Sequence, residues 1–300
     1  MDSRLRPSEM LCWGTLGSVR PFPNFQPERD VVDLQAALEQ KDINSLVRIL
    51  TNRSSAQRQT LARDYQTHTQ KELKAGLKKV LSGDLEALML GLMMTPEQFE
   101  AHRLRLAMAG VGTDEETLLE ILCMRTPQQL SDINAVYNAE YKRDLEKDLI
   151  SETSGDFTKL LVALLKKEYR PGPLEPDVQV LSEELNSKKP TAGPWIQILT
   201  SRSPDHLRKA VCMCVRVCVS VCVRIPGRVS LPLSTVCCIE NPHLYLAQRI
   251  QNMKGSVLQG VLVSHCEEDL LAVRVAFKTC TGTSLYTTLQ VTHTHIHTHT

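Results

Sequence analysis

The 300-residue chain has almost no net charge: 35 basic residues stand against 34 acidic ones, a formal charge of +1. A chain so balanced projects no global field toward nucleic acid or anionic lipid, so attraction to a charged surface has to come from a bound ion. No run reaches the roughly 18 apolar residues of a membrane span. The N-terminus has no secretory hydrophobic region, and position 2 is Asp rather than a glycine open to myristoylation. The expected address is therefore cytosolic. Catalysis lacks a convergent nucleophile and base: four of the nine histidines lie in the last ten residues, and six of the ten cysteines lie between 211 and 238. An enzyme is not expected.

What the chain does have is internal repetition. Subtracting 72 pairs Ile121 with Ile49, Leu122 with Leu50, Arg125 with Arg53, Gln129 with Gln57, Ile133 with Leu61 and Tyr137 with Tyr65. The register holds without a gap through Leu145 and Leu73, Gly155 and Gly83, and Leu160 and Leu88. An offset of 77 carries Leu122, Arg125 and Gln129 onto Leu199, Arg202 and His206; 140 carries Leu122, Gln129, Ile133, Tyr137 and Leu145 onto Leu262, Asp269, Val273, Phe277 and Leu285. Four copies are implied. Within each, apolar positions recur at three and four residues, the period of amphipathic helices, so the fold class is all-α. The repeated Arg53, Arg125 and Arg202 read as ion pairs or helix-end contacts, and Tyr65 and Tyr137 as core.

The second copy carries the stretch MAGVGTDEE from Met108 to Glu116, followed by SETSGDF from Ser151 to Phe157. Gly110 and Gly112 allow positive φ without a Cβ clash, so a tight loop can turn its carbonyl oxygens toward one point. Such oxygens are hard ligands, and Ca²⁺ takes six to eight of them at about 2.4 Å. The carbonyls of Met108, Gly110 and Gly112 are expected to supply three. Glu152, 40 positions past the last glycine (152 − 112), is the candidate carboxylate. Thr113 and Glu116 have capping-box spacing, which predicts a helix directly after the loop.

The M-x-G-x-G-T loop, the acidic residue 40 positions on and the SGDF segment together resemble an annexin repeat. An EF-hand would carry alternating Asp and Asn within 12 residues, and none precedes Asp114 here. The resemblance runs from about residue 17 to 210 and resumes from about 242 to 290. The segments GSVRPFPNFQPERD, ILTNRSSAQRQ and YKRDLEKDLISETSGDF are more similar to the annexin II branch than to others. The resemblance implies an array of five-helix repeats in which Met108, Gly110, Gly112 and Glu152 hold Ca²⁺. It also implies an open coordination position filled by lipid phosphate, and a non-enzymatic role peripheral to anionic plasma and vesicle membranes. Val111, between the glycines, reads either as a residue that dips into the interface or as tolerated exposure.

The other copies lose this chemistry. In the first, Leu38, Gln40 and Val80 replace Gly110, Gly112 and Glu152; Asp84 and Glu86 read as helix-capping acids, with a minor calcium site as the alternative. The third has Ser187 and Lys189 followed by Pro190. The fourth keeps Met253, Lys254 and Gly255, lacks the next five residues, and has Thr292 at the carboxylate position.

The alternating run VCMCVRVCVSVCV and the tail VTHTHIHTHT look like translated dinucleotide repeats; a metal site is the alternative. They predict loss of the last three helices of the third copy and the last of the fourth, leaving repeats 1 and 2 complete (31–167). The expected organisation is a tail at 1–30, repeat 1 at 31–95, repeat 2 at 103–167 and a linker with partial repeat 3 at 168–210. An aberrant insert at 211–241, partial repeat 4 at 242–291 and a low-complexity tail at 292–300 follow. Proline and charge in KKEYRPGPLEPD (166–177) suggest a domain boundary there. Two other readings stay open: a calcium-independent scaffold whose segment SEMLCWGTL (8–16) offers an apolar face to an S100-type partner, and a poorly folding, non-functional product.

Overall fold

The computed structural model describes residues 17–187, 191–217, 233–252 and 255–290. The expectations for 8–16, for the middle of the Val/Cys-rich stretch, for Lys189, Pro190, Met253 and Lys254, and for 292–300 lie outside them. Among the described residues every regular element is a helix, as expected. The first copy comprises α1 (Pro27–Gln40), α2 (Ile43–Thr51), α3 (Ser55–Thr69), α4 (Leu73–Val80) and α5 (Gly83–Leu92). The second comprises α6 (Pro96–Ala107), α7 (Glu115–Met124), α8 (Pro127–Tyr141), α9 (Leu145–Glu152) and α10 (Gly155–Leu165).

These boundaries come from local signals that recur 72 residues apart. Ser54 and Thr126 each close a capping box with Gln57 and Gln129, and Asp42 and Asp114 each accept from a backbone N–H three residues on. Gln70 and Lys142 end α3 and α8 in the left-handed region. Each cap is worth about 1 kcal/mol and fixes where the chain turns. The apolar stripes then meet: Leu50 and Leu122, Leu61 and Ile133, Tyr65 and Tyr137, and Leu77 and Leu149 are all buried. The repeated arginines are ion pairs, as read from the sequence. Arg53 grips Asp30 of α1 with two bonds of 2.6 and 2.8 Å, and Arg125 reaches Glu100 of α6 at 2.7 Å.

The third copy overturns part of the expected truncation. It has α11 (Leu174–Asn186), α12 (Gly193–Ser201), α13 (Pro204–Val217) and α14 (Leu233–Glu240). Adding 77 to the bounds of α8 and α10 gives 204–218 and 232–242, so α13 and α14 stand where a third and a fifth helix belong. The position of the fourth, 222–229, lies outside the described residues. The described ends of the stretch 211–241, residues 211–217 and 233–241, thus keep the repeat's register. The physical reason is that Val, Cys, Leu and Ile remain apolar whatever their codon history. Leu207, Ala210 and Cys238 are buried at the positions of Leu130, Ile133 and Leu161. Arg202 completes the pattern by binding Asp177 of α11 at 2.6 Å. The fourth copy has α15 (Pro242–Ile250), α16 (Gly255–His265), α17 (Leu270–Thr281) and a helical stretch at 285–290.

The chain divides into two compact units, one of residues 1–99 with 246–300 and one of 100–245. By this division the first two copies fall in different units, and 166–177 lies inside the second. In the first unit α5 packs on α16. There Glu267 also accepts from Ser55 N and Arg58 Nη2, at 2.5 and 3.1 Å. In the second unit α10 packs on α12, and the proline-rich stretch is stitched down by Glu168 N and Arg170 N donating to the carbonyls of Thr200 and Ser201. Apolar faces left over by one copy are covered by another copy of the same unit.

Candidate metal centre

In the second copy α6 stops at Ala107 and α7 starts at Glu115, leaving a seven-residue loop, 108–114. Asp114 N donates back to the Ala107 carbonyl at 2.8 Å, which pins the ends of the loop together. Gly110 (φ 96°) and Gly112 (φ 88°) both lie in the left-handed region, and a Cβ added to either would meet nothing within 4 Å. Glycine is required there by the backbone rather than by a crowded neighbour. Met108 is buried and anchors the loop to the core, whereas Gly110, Val111 and Gly112 are exposed. Val111 is fully exposed at the tip.

Glu152 is the last residue of α9, and its backbone carbonyl accepts from the Thr113 hydroxyl at 3.0 Å. One hydrogen bond thus joins the glycine loop to the candidate carboxylate across 39 positions. The Glu152 side chain is exposed, and its carboxylate has no protein partner among the described residues. The last turn of α9 holds no basic residue. A carboxylate at the negative end of a helix dipole is electrostatically unfavourable, and a cation there relieves both charges. Hard oxygens, an open loop and an uncompensated carboxylate fit Ca²⁺. Between α6 and α7 lies a buried ion network in which Glu100 bonds Arg103 and Arg125, and Glu120 bonds Arg103 at 2.7 Å.

The helix after the loop follows it directly, but starts one residue later than the Thr113–Glu116 spacing predicted and with a different cap. Asp114 is the N-cap, its carboxylate accepting from Thr117 N at 3.0 Å and from the Thr117 hydroxyl at 2.8 Å. Thr113 is spent on Glu152, and Glu116 instead accepts from Ser234 Oγ at 2.5 Å and Tyr245 Oη at 2.8 Å. Sequence reasoning missed Thr113 as the tether. The only signal was a hydroxyl residue next to the second glycine, and its partner is remote in sequence.

Among the described residues the loop is not rebuilt elsewhere. In the first copy Leu38 and Gln40 are helical because α1 runs on to Gln40, and only Lys41 (φ 55°) turns left-handed before Asp42 caps α2. Asp84 sits in the first turn of α5, where its carboxylate accepts from Gln259 Nε2 at 3.2 Å, and Val80 ends α4. Ser187 caps α11 at φ −63°. Gly255 is the first residue of α16 and does not take positive φ. No helix among the described residues is long and apolar enough to cross a membrane.

The annexin family model matches residues 29–92 and 99–164. Annexin A1 of Equus caballus is 35% identical over 293 residues, covering 91% of this chain and 85% of its own length. Annexin A9 of Mus musculus is 35% identical over 299 residues, covering 93% and 86%. Among solved structures annexin III superposes with a TM-score of 0.86 at 34% identity, over 93% of both chains. Coverage this wide reaches all four copies, so it gives no support to a truncated third and fourth repeat. Similarity at one level to several members does not single out the annexin II branch.

Proposed function

Because the chain belongs to the annexin family, we propose that it binds Ca²⁺ at the loop 108–114 and, through it, anionic phospholipid. The family is non-enzymatic, and so is this member. The observation that carries the reading is the Thr113–Glu152 hydrogen bond, which holds the only loop with two left-handed glycines among the described residues against an exposed carboxylate. Met108, Gly110 and Gly112 would offer backbone carbonyls, and Glu152 the carboxylate. Bound Ca²⁺ supplies a hard positive centre with coordination positions left for lipid phosphate.

The chain's own residues do the rest. Gly110 and Gly112 let the carbonyls turn without side-chain obstruction, and Met108 keeps the loop seated on the core. Thr113 fixes the distance between loop and carboxylate before any ion arrives, so little ordering cost remains to oppose binding. Val111 at the tip adds apolar contact with the interface. A single complete loop forgoes the avidity of linked sites, and a net charge of +1 offers no substitute attraction. Association should be peripheral, reversible and demanding of calcium.

Co-sedimentation of the full chain with phosphatidylserine-containing vesicles tests this. Pelleting should require calcium, reverse on chelation and fall sharply in Glu152→Ala. Equal pelleting in chelator would overturn the bridge.

A further inference from the structure

The turn between α16 and α17 has lost both devices that close the same turn in the first two copies. Arg53 and Arg125 each pair with an acid of their own copy's first helix. The offset of 140 puts His265 in that place (125 + 140), and α15 carries no acid. Gln57 and Gln129 each close a capping box. At their position stands Asp269 (129 + 140), which begins α17 without a side-chain capping bond.

What stands there instead is a set of donors gathered at one point. The His265 side chain is 4% exposed, and its Nδ1 lies 2.6 Å from Asp269 Oδ1. One ligand atom from each of His265, Glu268 and Asp269 lies within 4.8 Å of the other two. The second ring nitrogen, Nε2, is buried and has no hydrogen-bond partner among the described residues. Buried polar groups are ordinarily paired, so an imidazole held on one side only is out of keeping with a purely structural role.

We propose that His265, Glu268 and Asp269 bind a divalent transition ion, Zn²⁺ foremost, in addition to the calcium loop of the second copy. An imidazole nitrogen in the donor set disfavours Ca²⁺, which takes oxygens, and suits Zn²⁺, which joins imidazole with carboxylates. Bonds of about 2.0–2.2 Å to a tetrahedral ion put its donors about 3.3 Å apart. The His265–Asp269 pair, now at 2.6 Å, opens by about 0.7 Å as the ion takes the place of the shared proton. That proton moves to Nε2, which no neighbour among the described residues holds to either tautomer. Glu268 is exposed and closes on the ion from the solvent side, and water takes the fourth position. The ion braces a turn on which other segments hang: the Cys266 carbonyl accepts from Val19 N at 2.8 Å, and Glu267 holds Ser55 and Arg58.

Crystals of the full chain grown with Zn²⁺ and measured on both sides of the zinc absorption edge test the site directly. Expected is an anomalous peak about 2.0–2.2 Å from a His265 ring nitrogen and from carboxylate oxygens of Glu268 and Asp269. In solution, competition for Zn²⁺ against a chromophoric chelator gives the affinity. His293, His295, His297 and His299 are replaced by Ala in every arm, which removes the other imidazoles close in sequence. One equivalent of Zn²⁺ should then bind roughly 10-fold or more weakly in Glu268→Gln, a change at an exposed position, and equally well in Glu152→Ala. Zinc density only at cysteines or at the calcium loop would overturn the proposal, as would undiminished affinity in Glu268→Gln.

Discussion

The hydroxyl of Thr113 donates to the backbone carbonyl of Glu152 at 3.0 Å, so the residue after the second loop glycine is tied to the end of α9. The bond spends a side chain on geometry rather than on helix capping. Asp114 takes over the cap, which lets loop, tether and helix start occupy three consecutive functions without conflict.

Thr113→Val should therefore weaken calcium binding while leaving the fold intact. Loss of one neutral hydrogen bond is worth about 0.5–1.5 kcal/mol, or roughly a 2- to 10-fold rise in the calcium midpoint. Thr113→Ser should restore most of it. Calorimetric titration checks this, and an unchanged midpoint in the valine variant would remove the tether from the account.

Val111 separates ion binding from membrane contact. Replacing it with Asp removes about 1.5 kcal/mol of apolar burial at the interface, so vesicle affinity should drop roughly 10-fold at saturating calcium. Solution binding of calcium without lipid should stay the same. A parallel loss of both would mean that the side chain shapes the loop.

The Arg53–Asp30 pair is nearly buried, both side chains being about 10% exposed or less. Asp30→Ala leaves the guanidinium without its charge partner and should cost about 3–5 kcal/mol in urea unfolding. Replacing both residues by apolar ones of similar volume should recover much of that. A single-variant loss below about 1 kcal/mol would show that water reaches the arginine.

Acid should unfold the unit of residues 100–245 through two aspartates. Hydrogen bonds from Arg143 hold the Asp148 carboxyl below the usual carboxylate range against the opposing effect of burial, and Arg202 does the same for Asp177. Both contribute stability that is fully present above the ordinary carboxylate value near 3.8 and is lost as pH falls through their lower folded values. Urea midpoints of wild type and Asp177→Asn should differ most at pH 5–7 and converge toward pH 2. A difference constant across that range would exclude the linkage.

Sequence alone determined what is local and periodic. The spacing of apolar residues, the capping residues and the glycines of the loop act within a few positions of one another. The all-α class, the offsets of 72, 77 and 140, the left-handed glycines and the missing loop of the first copy could thus be read directly. Other features depended on which distant segments meet. Tertiary structure decided that Thr113 reaches Glu152, that Glu116 binds Ser234 and Tyr245, and that Glu267 binds Arg58. It also decided that the first copy shares its unit with the fourth and the second with the third. The low-complexity stretch shows why the two differ. Its codon-like pattern suggested lost structure, yet burial selects for apolar volume at register positions and not for sequence complexity, so a valine- and cysteine-rich segment still supplies helices where the array has places for them.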